Sequence, residues 1–232
     1  MASETGIGEV VPTSAIALTR SLCEAAHSSA IRLPRLWPTN AASEISSASK
    51  TAITQLDISN AALVGHSLGS LIALECAASH SDRVRVIALV GTTSPMPVSD
   101  AILDAAEADD HAAFDMLTQW GFSKRHQFGG NRNSGIWMIG NTLRLYERSG
   151  PGVLFHDMRA CNEYTAGIDQ AAKVRCPALL ILGAEDRLTP VRSTRALQEA
   201  IPSPIVEVLP DAGHTIMVEA PNAMLDALHK VL

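Results

Sequence analysis

From Ala61 to Leu232, short runs that are apolar at nearly every position alternate with stretches of helical spacing, and this alternation admits few architectures. The runs are Ala61 to Val64, Val84 to Val90, Ala178 to Leu182 and Ile205 to Leu209. A strand with one wetted face alternates apolar and polar residues, whereas a strand covered by helices on both faces need not. Between the runs lie Leu68 to Ser79, Pro190 to Ala200 and Pro221 to Leu232. The last carries Met224, Leu225, Leu228, Val231 and Leu232 at helical spacing, with Pro221 suited to a first turn. The pattern predicts an α/β domain with at least four parallel strands.

One stretch breaks the alternation. Between Ser94 and about Ala172 there is no strand-like run, only helical patterns over Asp100 to Trp120 and Gly135 to Glu147. We therefore expect residues 1–95 and 173–232 to form the α/β core and residues 96–172 a helical insertion. Eight of the nine aromatic residues fall inside the insertion, Trp37 being the exception. Most should form the insertion's own core, while some could roof an apolar pocket; Trp120, Trp137 and Met138 are the candidates for substrate contact. Before Ala61 the pattern is weaker, and residues 1–45 are atypical of such a core. A helix is expected from Glu44 to Leu56, with Ile45, Ala48, Ile53 and Leu56 on one face, and Ile7 to Val11 and Ala30 to Leu36 are strand candidates.

Composition excludes other classes. A chain of 232 residues with 47% hydrophobic and 18% charged residues can bury a proper core, which sets aside disorder and fibre. With 18 Lys+Arg against 24 Asp+Glu and no basic run, neither nucleic acid nor an anionic membrane is an expected partner. The four cysteines, at 23, 76, 161 and 176, show neither a CxxC pair nor zinc-ligand spacing and read as reduced thiols of a cytoplasmic protein. Glu4 and Glu9 precede the first basic residue, Arg20, so the first residues do not read as a secretory signal or transit peptide. No apolar run reaches the roughly 20 residues that span a bilayer.

The chemistry centres on Gly65-His66-Ser67-Leu68-Gly69, which stands at the end of the first secure run and leads straight into a helix. In such a strand–turn–helix the serine sits on a sharp, strained turn with its hydroxyl above the sheet, and small flanking residues allow close backbone approach. The helix that begins there aims free N–H groups and its positive dipole end at the same spot, so the Leu68 amide is the expected oxyanion donor. By chance alone a bare G-x-S-x-G should arise in roughly one chain in ten of this length. Its placement between strand and helix removes most of those accidents.

A serine hydroxyl needs a base, itself oriented by a third group. Asp186 stands in the loop after Ala178 to Leu182, and His214 in the equivalent loop after Ile205 to Leu209. Catalytic groups of open α/β sheets gather at that edge, so three loops converge. Glu185 and Asp211 are rival carboxylates, less well placed than Asp186, and Asp186 could alternatively cap the turn before Pro190. His27, His80, His111, His126, His156 and His229 read as solvated or capping residues. His66, beside the candidate nucleophile, reads as structural or as part of the substrate-contacting set.

These segments, in the order Ser, Asp, His, resemble the α/β-hydrolase superfamily over Ala61 to Leu232, about three quarters of the chain. The resemblance implies an α/β-hydrolase fold with a helical cap over about Met96 to Ala172, and a serine hydrolase acting on a small or medium apolar carboxylic ester through an acyl-enzyme. It implies no metal and no organic cofactor. The same triad serves C–C bond, lactone or thioester hydrolysis and perhydrolysis in relatives. Family members also carry a His-Gly turn that donates a second oxyanion N–H, and no His-Gly pair occurs before Gly65. A weakly active or inactive binding module is therefore the rival reading. The short N-terminal part leaves the edge beside Ala61 to Val64 to be covered by degenerate strands, by a second copy in a homo-oligomer, or by a segment lost to a truncated or out-of-frame start.

Overall fold

The computed structural model describes residues 59–130 and 137–232. The expectations for Ile7 to Val11, Ala30 to Leu36 and Glu44 to Leu56 lie outside the described residues, as does the stretch where a His-Gly turn would stand.

The four predicted runs are strands: β1 (Ala61–His66), β2 (Val84–Val90), β3 (Ala178–Gly183) and β4 (Ile205–Leu209). They form one sheet in the order β1-β2-β3-β4, and every neighbouring pair is parallel. Helices cover both faces. In β3, Leu180 and Leu182 point to a cluster with Leu74, Ala77, Leu197 and Ile201, while Leu179 and Ile181 point to the opposite one with Ala212, Ile216 and Ala227. This two-sided burial is why the runs lack polar alternation.

β4 departs from that expectation. It pairs only with β3 among the described strands, and Ile205 and Val208 are 40% and 45% exposed. An apolar run in sequence is here a partly exposed strand with one partner among the described strands.

Helix α1 (Leu68–Ser79) follows β1 directly. Between β2 and β3 lie six helices and no strand among the described residues: α2 (Asp100–Glu107), α3 (His111–Gly121), α4 (Lys124–Gln127), α5 (Met138–Glu147), α6 (Val153–Glu163) and α7 (Gly167–Ala171). The helical pattern over Asp100 to Trp120 is two helices. Asp109 takes a positive φ of 52°, and the Asp110 carboxylate caps the new helix by accepting from Ala112 N–H at 2.9 Å. The helix expected from Pro190 begins as a short 3₁₀ turn (Val191–Thr194) and continues as α8 (Arg195–Ala200). After β4 come α9 (Ile216–Glu219) and α10 (Pro221–Leu228), the latter shorter than its apolar pattern.

The register matters most for the site. His66 pairs with Val90, Val90 with Ile181, and Gly183 with Leu209, so all four strands end at one edge. The loops carrying Ser67, Asp186 and His214 leave from that edge.

Candidate active site

At the end of β1 the backbone turns within one residue. Ser67 has φ 53° and ψ −124°, a strained conformation for a residue with a side chain. Its amide is held by the Val90 carbonyl at 3.0 Å. Ser70 Oγ sits 2.5 Å from the Ser67 carbonyl oxygen, to which it donates, and 2.7 Å from the Thr92 hydroxyl. Strand and helix cross so closely that a Cβ on Gly65 would lie 2.1 Å from the Gly69 oxygen, which explains the glycine there. Leu68 is the first residue of α1, so its N–H has no acceptor within the helix.

Asp186 and His214 are both buried and in contact. The Asp186 Oδ1 accepts from Leu188 and Thr189 N–H, each at 2.8 Å, and Oδ2 accepts from Thr189 Oγ1 at 2.6 Å and from His214 Nδ1 at 2.8 Å. Asp186 thus caps its own turn and is also hydrogen-bonded to the imidazole. With Nδ1–H given to the carboxylate, Nε2 is the ring nitrogen left to accept a proton. Of the three carboxylates weighed, Asp186 is the one bonded to His214. Glu185 accepts from Lys124 N–H at 3.0 Å, and Asp211 pairs with Arg125 at 3.7 Å.

Burial alone would raise the Asp186 carboxyl, but the His214 charge, its hydrogen bond and the Thr189 donors outweigh it and bring the group down to about 2. A carboxyl depressed from 3.8 gives stability that is complete above that value and is lost as pH falls toward about 2. The stability difference between the wild type and Asp186→Asn, read from urea unfolding at successive pH values, should shift against the wild type across that window.

Ser67 and His214 share neighbours. Ser67 is bonded to Val90, and a Cβ on the next residue, Gly91, would lie 3.1 Å from His214 Nδ1. His66, on the other side of Ser67, donates Nε2–H to the His214 carbonyl at 2.9 Å, with the two rings 4.6 Å apart. Burial first, then the neighbouring His214 charge, push the His66 imidazole down to about 3, so it stays neutral and braces the His214 backbone.

Trp120, Trp137 and Met138 lie within residues 96–172, and Trp120 precedes Gly121, whose carbonyl accepts from His214 N–H. Trp120 packs into a cluster with Ile102, Leu117 and Leu188. Trp137 is 67% exposed with its ring against Gly140, and Met138 is buried at the start of α5. His126, expected to be solvated or capping, is instead buried and paired with Glu219 at 2.9 Å. The sequence reading missed this pair and Thr189. Only Thr189 left a trace, as the third residue after an aspartate that caps its own loop.

The sequence matches the Alpha/beta hydrolase family over residues 24–227. It is 32% identical to a pimeloyl-[acyl-carrier protein] methyl ester esterase of Chromobacterium violaceum over 164 residues, 66% of this chain and 63% of that protein. Among solved structures it resembles a thermophilic esterase at 25% identity and a TM-score of 0.67, over 84% of this chain and 73% of the other. A bromoperoxidase from Bacillus anthracis, 19% identical with a TM-score of 0.71 over 87% and 77% of the two chains, shares the fold. The chain spans less than two thirds of the length of the curated relatives it matches.

Proposed function

The chain belongs to the alpha/beta hydrolase family, and on that premise we propose that it is a serine hydrolase of small or medium apolar carboxylic esters. The observation that carries this reading is the Asp186–His214 hydrogen bond at the same sheet edge as a strained serine heading a helix. The esterase names of the relatives support the substrate class.

In the proposed cycle Ser67 Oγ attacks the ester carbonyl carbon while His214 Nε2 takes the hydroxyl proton. The imidazolium so formed keeps its Nδ1–H on Asp186, whose low-lying carboxyl stays ionised throughout the working range. Charge moves onto the carbonyl oxygen, which the Leu68 N–H and the positive end of α1 stabilise. Collapse expels the alcohol, which takes the proton from His214 Nε2 and leaves an acyl group on Ser67. Water then attacks the acyl carbon, again giving its proton to His214, and the acid departs with Ser67 restored. Residues 96–172, as a cap, would set the substrate. The four cysteines show neither a CxxC pair nor zinc-ligand spacing, which fits a cytoplasmic site of action.

A fluorophosphonate tests the reading without a guess about substrate. Intact mass and peptide mapping should find one adduct, on Ser67, weakened in His214→Ala. A panel of esters, thioesters and lactones would then define the reaction. Absence of any adduct on folded protein would overturn the proposal in favour of a binding module, to which the missing His-Gly pair before Gly65 points.

A further inference from the structure

Outside the Ser67–His214–Asp186 set, the most fully committed polar group is a carboxylate with no part in the cycle above. The Glu219 side chain is completely buried. A buried carboxylate is costly unless its oxygens are all engaged, and these are. Oε1 accepts from Gly213 N–H at 3.0 Å, and Oε2 accepts from Ser123 N–H at 2.9 Å and lies 2.9 Å from His126 Nδ1. Glu219 is tied back to the same loop by its own amide, which donates to the Thr215 carbonyl at 3.0 Å.

The donors belong to two segments distant in sequence. Gly213 immediately precedes His214, while Ser123 lies at the corner between α3 and α4 and His126 in α4 itself. That corner also grips the histidine loop by backbone: the Gly121 carbonyl accepts from His214 N–H at 2.8 Å, from Thr215 N–H at 3.1 Å and from Thr215 Oγ1 at 2.9 Å. The two segments touch so closely that a Cβ on Gly213 would lie 2.6 Å from Ser123 N. The His214 amide is thus held by the Gly121 carbonyl and the Gly213 amide by Glu219, while His66 holds the His214 carbonyl, and Glu219 is the side chain that bridges the histidine loop and residues 121–126.

We infer that Glu219 is a positioning residue for His214, acting through the Gly213 amide and the Ser123–His126 corner to fix the imidazole over Ser67. It touches neither substrate nor reacting atoms. The inference rests on the proposed role of His214, and a displacement of order 1 Å there can cost about 100-fold in rate.

The test uses the full chain and two variants. Glu219→Gln keeps the side chain's size and an acceptor for Gly213, but sets an amide NH2 against the Ser123 N–H. His126→Leu leaves both backbone bonds and removes only the imidazole. Two readouts separate positioning from mere support: the fluorophosphonate rate constant at Ser67 per folded molecule, and heteronuclear NMR of histidine-labelled protein, which reads how fully the His214 proton rests on Nδ1. In Glu219→Gln the labelling rate should fall at least about tenfold, with the His214 signals moving toward a mixture of tautomers; His126→Leu should shift both in the same direction by less. A folded Glu219→Gln that labels within about twofold of wild type, with unchanged His214 signals and only a lower Tm, would overturn the inference. Should Glu219→Gln fail to fold, unchanged labelling and unchanged signals in His126→Leu would do the same. If the wild type takes no label, the serine-hydrolase reading fails, and the NMR comparison alone decides the role of Glu219.

Discussion

Ser67→Ala and His214→Ala should each remove ester hydrolysis almost entirely, by about a million-fold in kcat, and the double variant should be no worse than either. The equality is the informative part. Ser67 attacks only as fast as His214 removes its proton, so once one is gone the other has no task. Asp186→Ala should cost less, about ten-thousand-fold, because the imidazole can still act as a base while it loses its orientation and the partner of its positive charge. What survives in all of them is substrate binding and the Leu68 N–H at the head of α1, together worth about a thousand-fold over water. The measurement is kcat and kcat/KM on the best ester of the panel, with circular dichroism to certify folding. Losses that multiply in the double variant would mean that the two residues act independently, which the cycle cannot accommodate.

The sheet was legible because its signal is local. Leu179 to Leu182 are apolar in succession because alternate residues enter opposite clusters, and a run of that kind between helical stretches fits little besides a strand covered on both faces. The elbow was legible because the strand, the turn and the helix are contiguous, and Asp186 and His214 because each stands one loop beyond an apolar run. Where the reading erred, the deciding partner lies far away or the signal is shared. Asp109 and Asp110 break one amphipathic pattern into two helices, a capping event that periodicity does not register. Ile205 to Leu209 reads like a strand covered on both faces although Ile205 and Val208 are partly exposed. His126 reads as solvated because nothing near it in sequence marks it as buried. Its partner Glu219 is 93 residues further on, and the glutamate itself sits in an ordinary amphipathic stretch. A buried carboxylate is found from its donors, and those are set by the packing of the α3–α4 corner on the histidine loop.

Gly65→Ala should be the most damaging single-methyl change near the site, costing about 3 kcal/mol or more and removing Ser67 reactivity with it. The added carbon would stand 2.1 Å from the Gly69 oxygen, 2.5 Å from its carbonyl carbon and 2.8 Å from Ser70 Cα. All three atoms are backbone of the first turn of α1, so no side chain can rotate to relieve the clash. Relief requires strand and helix to part, and the same crossing sets φ and ψ of Ser67 and aims the Leu68 N–H. Stability and reactivity should therefore fall together, which distinguishes this change from one that merely loosens the core. Gly150→Ala is the control: its added carbon would find only Val153 Cγ2 at 3.8 Å, an ordinary contact, and the change should stay within about 0.5 kcal/mol. Urea unfolding of both variants, with fluorophosphonate labelling of whatever remains folded, measures the two effects side by side. A Gly65→Ala protein as stable as wild type would mean that α1 does not cross β1 at the distance that holds Ser67 in its strained turn. The site would then lose the geometric feature on which its chemistry depends.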